Sequence, residues 1–130
     1  MAPDLAGRVR LLGALPDPRT ALRDAHVLLH CADAEPYGLA LVEALAAGRP
    51  VVAPAAGGPL EIVTPDSGRL YAPGDATAGA AALASALHDP VLRAGARARG
   101  AAFDRAAAAR RFAAVVERAA TKRSKRFVAE

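Results

Sequence analysis

The sequence has 130 residues, the length of one domain or a piece of one, and 36 of its 69 hydrophobic residues are alanine, so few large side chains are left to build a core. A single cysteine, Cys31, excludes an internal disulfide framework and a multi-cysteine metal site, and no run of about 20 apolar residues exists to span a bilayer. Charge is uneven: residues 1–90 hold six Lys/Arg against ten Asp/Glu, whereas residues 91–130 hold eleven against three. The Leu11–Leu15 stretch is too short for the apolar core of a secretory signal, so a reducing cytoplasm is the expected compartment. The last cations, Lys122, Arg123, Lys125 and Arg126, read as a solvated basic tail over 121–130, distinct from a domain over 1–120. No aromatic side chain interleaves with them before Phe127, so nucleic acid is not an expected partner.

In chain order, Val9–Leu12 reads as a strand stopped by Gly13, and Thr20–Ala25 as a short helix announced by Pro18. Val27–Leu29 is a second strand, followed by a loop through Asp33, Glu35 and Pro36. From Gly38 to Ala47 every residue but Glu43 is apolar or glycine, which predicts a helix buried nearly all round and stopped by Gly48. Val51–Ala53 is a continuous apolar strand. Pro59 opens a short helix through Val63, and Arg69–Tyr71 is a fourth strand. Asp75 can cap a helix to about Leu87; further helices start at Pro90 and span about Asp104–Ala120. Apolar strands alternating with helices predict an α/β fold: a partial Rossmann-like domain with a parallel sheet of about four strands, helices on both faces and C-terminal helices. Ligands of such sheets bind at the carboxyl ends of the strands, here loops 13–19, 30–37, 54–59 and 72–75.

Chemistry concentrates in one stretch, Glu35 to Ala53. A carboxylate inside a buried helix costs several kcal/mol (roughly 2–7 for an uncompensated polar group) unless it finds donors. For Glu43 these are either the vicinal hydroxyls of a ligand or the protein's own donors, a backbone amide or Arg49. Gly38 stands where a helix begins, and free N–H groups there suit a phosphate. Gly57-Gly58-Pro59 repeats the pattern of strand, glycine turn and helix start. Neither GxGxxG after a strand nor GxxxxGK[ST] occurs, which argues against the dinucleotide fingerprint and excludes a P-loop. Cys31 is expected to be a small buried residue. His30 ends a strand beside the loop and reads as an ordinary strand-end histidine or a rim residue, and the histidines define no metal site.

Glu35 and Glu43, eight apart, with Pro36, Gly38, Ala44, Gly48, Pro50, Val51 and Val52, closely resemble the signature of retaining glycosyltransferase family 4, the glycogen-synthase-like group with the GT-B fold. Gly57-Gly58-Pro59-Leu60-Glu61, Gly68-Arg69-Leu70-Tyr71 and Pro73-Gly74-Asp75 continue in the family's order, so the resemblance runs from about Gly7 to Phe112. It implies the C-terminal part of a domain that binds a nucleotide-diphospho-sugar, in a family that transfers glycosyl groups with retention and generally without a metal or other cofactor. By that resemblance Glu43 grips the ribose hydroxyls and Glu35, the catalytic candidate, faces the donor sugar without acting as a nucleophile. The backbone at Gly38 and Leu39, beside Tyr37, holds the distal phosphate, and Gly57 and Gly58 leave space beside the donor.

Three departures from the pattern bear on activity. The 130 residues hold no counterpart of the family's acceptor domain or of the Arg/Lys pair that neutralises the diphosphate. Cys31-Ala32 replaces the usual Pro-Ser. A helix dipole supplies about 0.3–1 kcal/mol, up to about 2 when partly buried, which is little for holding a leaving diphosphate. The expectation is therefore little or no transferase activity from this chain alone. Two alternatives accompany the transferase reading: a non-catalytic nucleotide-sugar or phosphate-binding module, and one half of a split enzyme. A bare sheet edge and uncovered helix faces further predict self-association or a partner chain.

Overall fold

The computed structural model describes residues 7–127, with side chains through residue 121. Its elements are α1 (Arg19–Asp24), β1 (Leu28–Leu29), α2 (Leu39–Ala46), β2 (Val51–Pro54), α3 (Pro59–Ile62), β3 (Gly68–Tyr71), α4 (Ala76–His88), α5 (Leu92–Ala101) and α6 (Arg105–Phe127). The three strands form a parallel sheet in the order β1-β2-β3, with Leu28 opposite Val51 and Val51 opposite Gly68. All strand C-termini thus lie at one end, which gathers loops 30–37, 54–59 and 72–75 there.

The central strand β2 is buried at all four positions, as a strand covered on both faces requires. Its side chains alternate between two clusters. Val51 and Ala53 pack with Leu41, Ala44 and Leu45 of α2, Ile62 of α3 and Ala96 of α5. Val52 faces the other way, into Ala86 of α4 and Leu92. Gly100 lets α5 approach α2 closely: a Cβ there would sit 2.5 Å from the backbone of Leu45 and Ala46. Alanine and glycine therefore do what large side chains do elsewhere, bringing backbones together to fill a thin core. The one buried polar side chain among the described residues, Ser67, is satisfied: its Oγ accepts from the Thr64 N–H at 2.9 Å and donates to the Thr64 carbonyl.

Asp75 caps α4 as expected, its Oδ1 accepting from the Ala78 N–H at 2.8 Å. Asp75→Ala should therefore lower stability by about 1 kcal/mol, read as a shift in the urea midpoint.

Three sequence expectations are corrected. Val9–Leu12 is not a strand, and the sheet has three strands, not four; Leu11 is 91% exposed and no neighbouring strand offers this segment a ladder. Cys31 is exposed, because it lies in the loop beyond the end of β1 rather than on the sheet. And α2 is buried on one side only: Leu41, Ala44 and Leu45 face the core, whereas Leu39, Ala40, Glu43 and Ala46 are exposed. An apolar composition does not bury a helix when only one layer packs on it. The α6 backbone is helical through Phe127, while the side chains of the basic tail from Lys122 onward lie outside the described residues. Phe112, Val115 and Val116 of α6 are exposed, and among the described residues no helix is long and apolar enough to cross a membrane.

Candidate nucleotide-sugar site

The loop after β1 is tied to both neighbours. The His30 N–H donates to the Val52 carbonyl at 2.8 Å, and the His30 carbonyl accepts from the Tyr71 hydroxyl at 3.0 Å. Burial, with Cys31 and Asp33 nearby, holds the Tyr71 phenol above its ordinary pKa, so it remains a donor. Asp33 accepts from the Gly74 N–H at 3.2 Å, which joins this loop to the one after β3. Glu35 folds back on its own turn: Oε1 accepts from the Tyr37 N–H at 3.1 Å, and Oε2 lies 3.6 Å from His30 Nε2.

The Glu35 carbonyl accepts from the Gly58 N–H at 2.7 Å. Both glycines are also pressed against the rim loop. A Cβ at Gly57 would strike the Glu35 carbonyl oxygen, and one at Gly58 the Tyr37 carbonyl oxygen. The Cβ side of both glycines is filled by the chain's own Glu35–Tyr37 backbone, so they let the rim loop pack on the start of α3.

Gly38 then starts α2 with φ +95° and ψ +50°, a left-handed conformation that favours glycine. It carries no side chain to cap the helix, so among the described residues no side chain occupies the first-turn N–H groups at Leu39 and Ala40. One turn on, Glu43 stands on the same side as Leu39, as positions i and i+4 do. The carboxylate makes no hydrogen bond or ion pair with described residues. Arg49, the internal partner considered from sequence, instead donates to the Arg23 carbonyl. Glu43 therefore tolerates its helix because it is solvated, not because burial forces a partner on it. The Arg19 guanidinium is held above its ordinary pKa, first by its hydrogen bond to Asp17 and in smaller part by the Glu43 charge.

Tyr37, Leu39, Glu43 and Gly58 line a single open cleft of about 820 Å³; Glu35, Gly38 and Gly57 are not among its lining residues. The far wall comes from the end of α5 and the start of α6, with Arg99, Arg105 and Arg111. Arg99 is a structural member: its Nε donates to the Ile62 carbonyl at 2.8 Å and its guanidinium lies 4.8 Å over the Phe103 ring. Sequence reasoning missed these arginines. They sit about 60 residues beyond the glutamates in no local motif, and only their placement on amphipathic helices could have pointed to them. Among the described residues no three His, Cys, Asp or Glu side chains converge as a metal site would need.

A parallel sheet whose strand-end loops meet a glycine-started helix makes a Rossmann-like α/β unit. Residues 3–103 match the family described as Glycosyl transferases group 1, and the chain belongs to it. It is 43% identical over 100 residues to a phosphatidyl-myo-inositol mannosyltransferase of Mycolicibacterium smegmatis, covering 72% of this chain and 25% of that protein. It is 44% identical over 72 residues to a probable sucrose-phosphate synthase of Oryza sativa, covering 55% of this chain and 7% of that one. Among solved structures it superposes on Anabaena HepE in complex with UDP-glucose with a TM-score of 0.80 at 28% identity, covering 88% of this chain and 33% of HepE. Sucrose-phosphate synthase from Thermosynechococcus elongatus gives 0.72 at 32% identity, covering 81% and 28%. The chain thus spans about a quarter of the mannosyltransferase and a third of HepE.

Proposed function

We propose that this chain forms part of the donor site of a retaining glycosyltransferase and binds a nucleotide-diphospho-sugar in the cytoplasm. The observation that carries this is the unengaged Glu43 carboxylate one turn inside a glycine-started helix, on a cleft wall it shares with Leu39. The backbone N–H groups at Gly38 and Leu39 face the distal phosphate, where the helix dipole contributes about 0.3–1 kcal/mol, up to about 2 if partly buried. Glu43 accepts from the ribose hydroxyls, and Glu35 stands toward the sugar. HepE, which shares the fold over a third of its length, is known in complex with UDP-glucose, and this supports the donor class.

Transfer to an acceptor is proposed for an assembly that also contains an acceptor-binding domain, in the same polypeptide or in a partner chain. The exposed apolar faces of α2 and α6, with Leu39 68% and Phe112 72% exposed, are where we place that domain. The chain by itself is then a binding unit with little turnover.

Isothermal titration of residues 1–130 with uridine diphosphate and UDP-glucose tests the proposal. Glu43→Ala should weaken binding about tenfold or more, the loss of one or two charge-assisted hydrogen bonds at about 1.5–3 kcal/mol each. Glu117→Ala, far along α6, should change nothing. Absence of heat with nucleoside diphosphates, or an unaltered affinity in Glu43→Ala, would sink the assignment.

A further inference from the structure

We propose that His30 is a positioning residue that donates from its Nε2–H to Glu35 and so sets how strongly the site prefers a sugar nucleotide over the bare nucleotide. This rests on the placement of Glu35 at the sugar end of the donor. The geometry begins with the backbone. Both polar backbone groups of His30 are committed, the N–H to Val52 of β2 and the carbonyl to Tyr71 of β3, so its Cα is anchored to two strands. Glu35, five residues on, lies beyond the exposed segment 31–34 and needs a second anchor if its carboxylate is to hold one orientation. The Tyr37 N–H fixes Oε1. His30 is the group that faces Oε2, at 3.6 Å.

The ring supplies the second observation. His30 Nε2 is shut off from solvent and makes no hydrogen bond with described residues. A buried, unsatisfied polar nitrogen is costly, and among the described residues the Glu35 carboxylate lies beside it, a few tenths of an ångström beyond hydrogen-bond range. A neutral imidazole carries one N–H and one lone pair. With the proton on Nδ1, the Nε2 lone pair would face a carboxylate oxygen and repel it. With the proton on Nε2, the contact is an attractive charge-assisted donor that draws Oε2 inward. The geometry therefore assigns the Nε2–H tautomer. With Oε1 and Oε2 both held, the free lone pairs of Glu35 are aimed in one direction, as recognition of sugar hydroxyls requires.

Two measurements on residues 1–130 test this. Long-range ¹H–¹⁵N correlation spectra at pH 8 should show His30 with a protonated-type Nε2, and Glu35→Gln should shift that resonance. Titration should show His30→Leu losing about tenfold in affinity for UDP-glucose while its affinity for UDP stays unchanged, with His30→Gln, which keeps a donor, recovering most of the loss. An Nδ1–H tautomer, or UDP and UDP-glucose affinities that fall together, would overturn the proposal in favour of a merely structural histidine. A UDP-glucose affinity unchanged in His30→Leu would overturn it as well. If the unmodified chain binds neither ligand, the donor-site assignment fails and the positioning proposal fails with it; an Nε2–H tautomer seen in that case would leave only a structural pair.

Discussion

Gly58→Ala is expected to cost about 3 kcal/mol and to lower the thermal midpoint on the order of 10 °C, measured by circular dichroism. The backbone at Gly58 has φ −52° and ψ −40°, a helical conformation in which alanine is entirely at ease. The loss therefore comes wholly from the new methyl, which would lie 2.6 Å from the Tyr37 carbonyl carbon. That neighbour is backbone and cannot swing aside as a long side chain would. To make room, the segment Glu35–Tyr37 must lift off the start of α3, breaking the bond from the Gly58 N–H to the Glu35 carbonyl. Stability and UDP binding should therefore fall together. Gly74→Ala is the matching control. Its φ of +77° is strained for alanine, yet nothing lies within 4 Å, so only about 1 kcal/mol should be lost. If Gly58→Ala were as mild as Gly74→Ala, the close approach of the two loops would be wrong.

Leu45→Ala should be the most damaging core substitution, at about 3–5 kcal/mol in urea unfolding. Leu45 is fully buried in the cluster between α2, α5 and the sheet. Three of its neighbours there, Ala44, Ala53 and Ala96, are too short to reach into the cavity, which leaves Leu41, Val51, Ile62 and Val63 to refill it. A core this rich in alanine has little side-chain length with which to refill a hole, so the cost should sit at the upper end of the range. Total stabilities of single domains are about 5–15 kcal/mol, so this variant could leave the chain near its unfolding threshold. Leu39→Ala, on the exposed side of the same helix, should stay within about 0.5 kcal/mol. Equal effects at the two positions would show that α2 is not packed on one face.

The contrast between Leu45 and Leu39 also marks what composition can and cannot say. Eight residues of LALVEALA look uniformly buried as a string. Only the number of layers packed on them decides which side meets water. Glu43 follows the same logic. Its position one turn past Gly38 is legible in sequence, but the expected burial, which would have called for a ligand or the protein's own donors, is not found, because the carboxylate is solvated. The contact of Gly57 and Gly58 with the Glu35–Tyr37 backbone is not legible in sequence, since that segment lies about 20 residues earlier in the chain.

Local signals with a local cause were reliable. Gly38 and Gly48 bracket α2, Pro59 opens α3 and Asp75 caps α4, because each acts through its own dihedrals or its own hydrogen bond. The continuous apolar run Val51–Ala53 foretold a strand of a parallel sheet for the same reason: its burial is written in its own side chains. Strand pairing is different. Val9–Leu12 has the composition of a strand and forms none, since a ladder needs a partner and residue type cannot supply one. The pairing of His30 with Glu35 and the arginines of α5 and α6 across the cleft likewise required the fold. Sequence by itself determined the order of elements from α1 onward, the family and the glutamate-bearing helix. Tertiary structure alone decided exposure and cross-loop contact, because both depend on what other segments of the chain come to lie alongside.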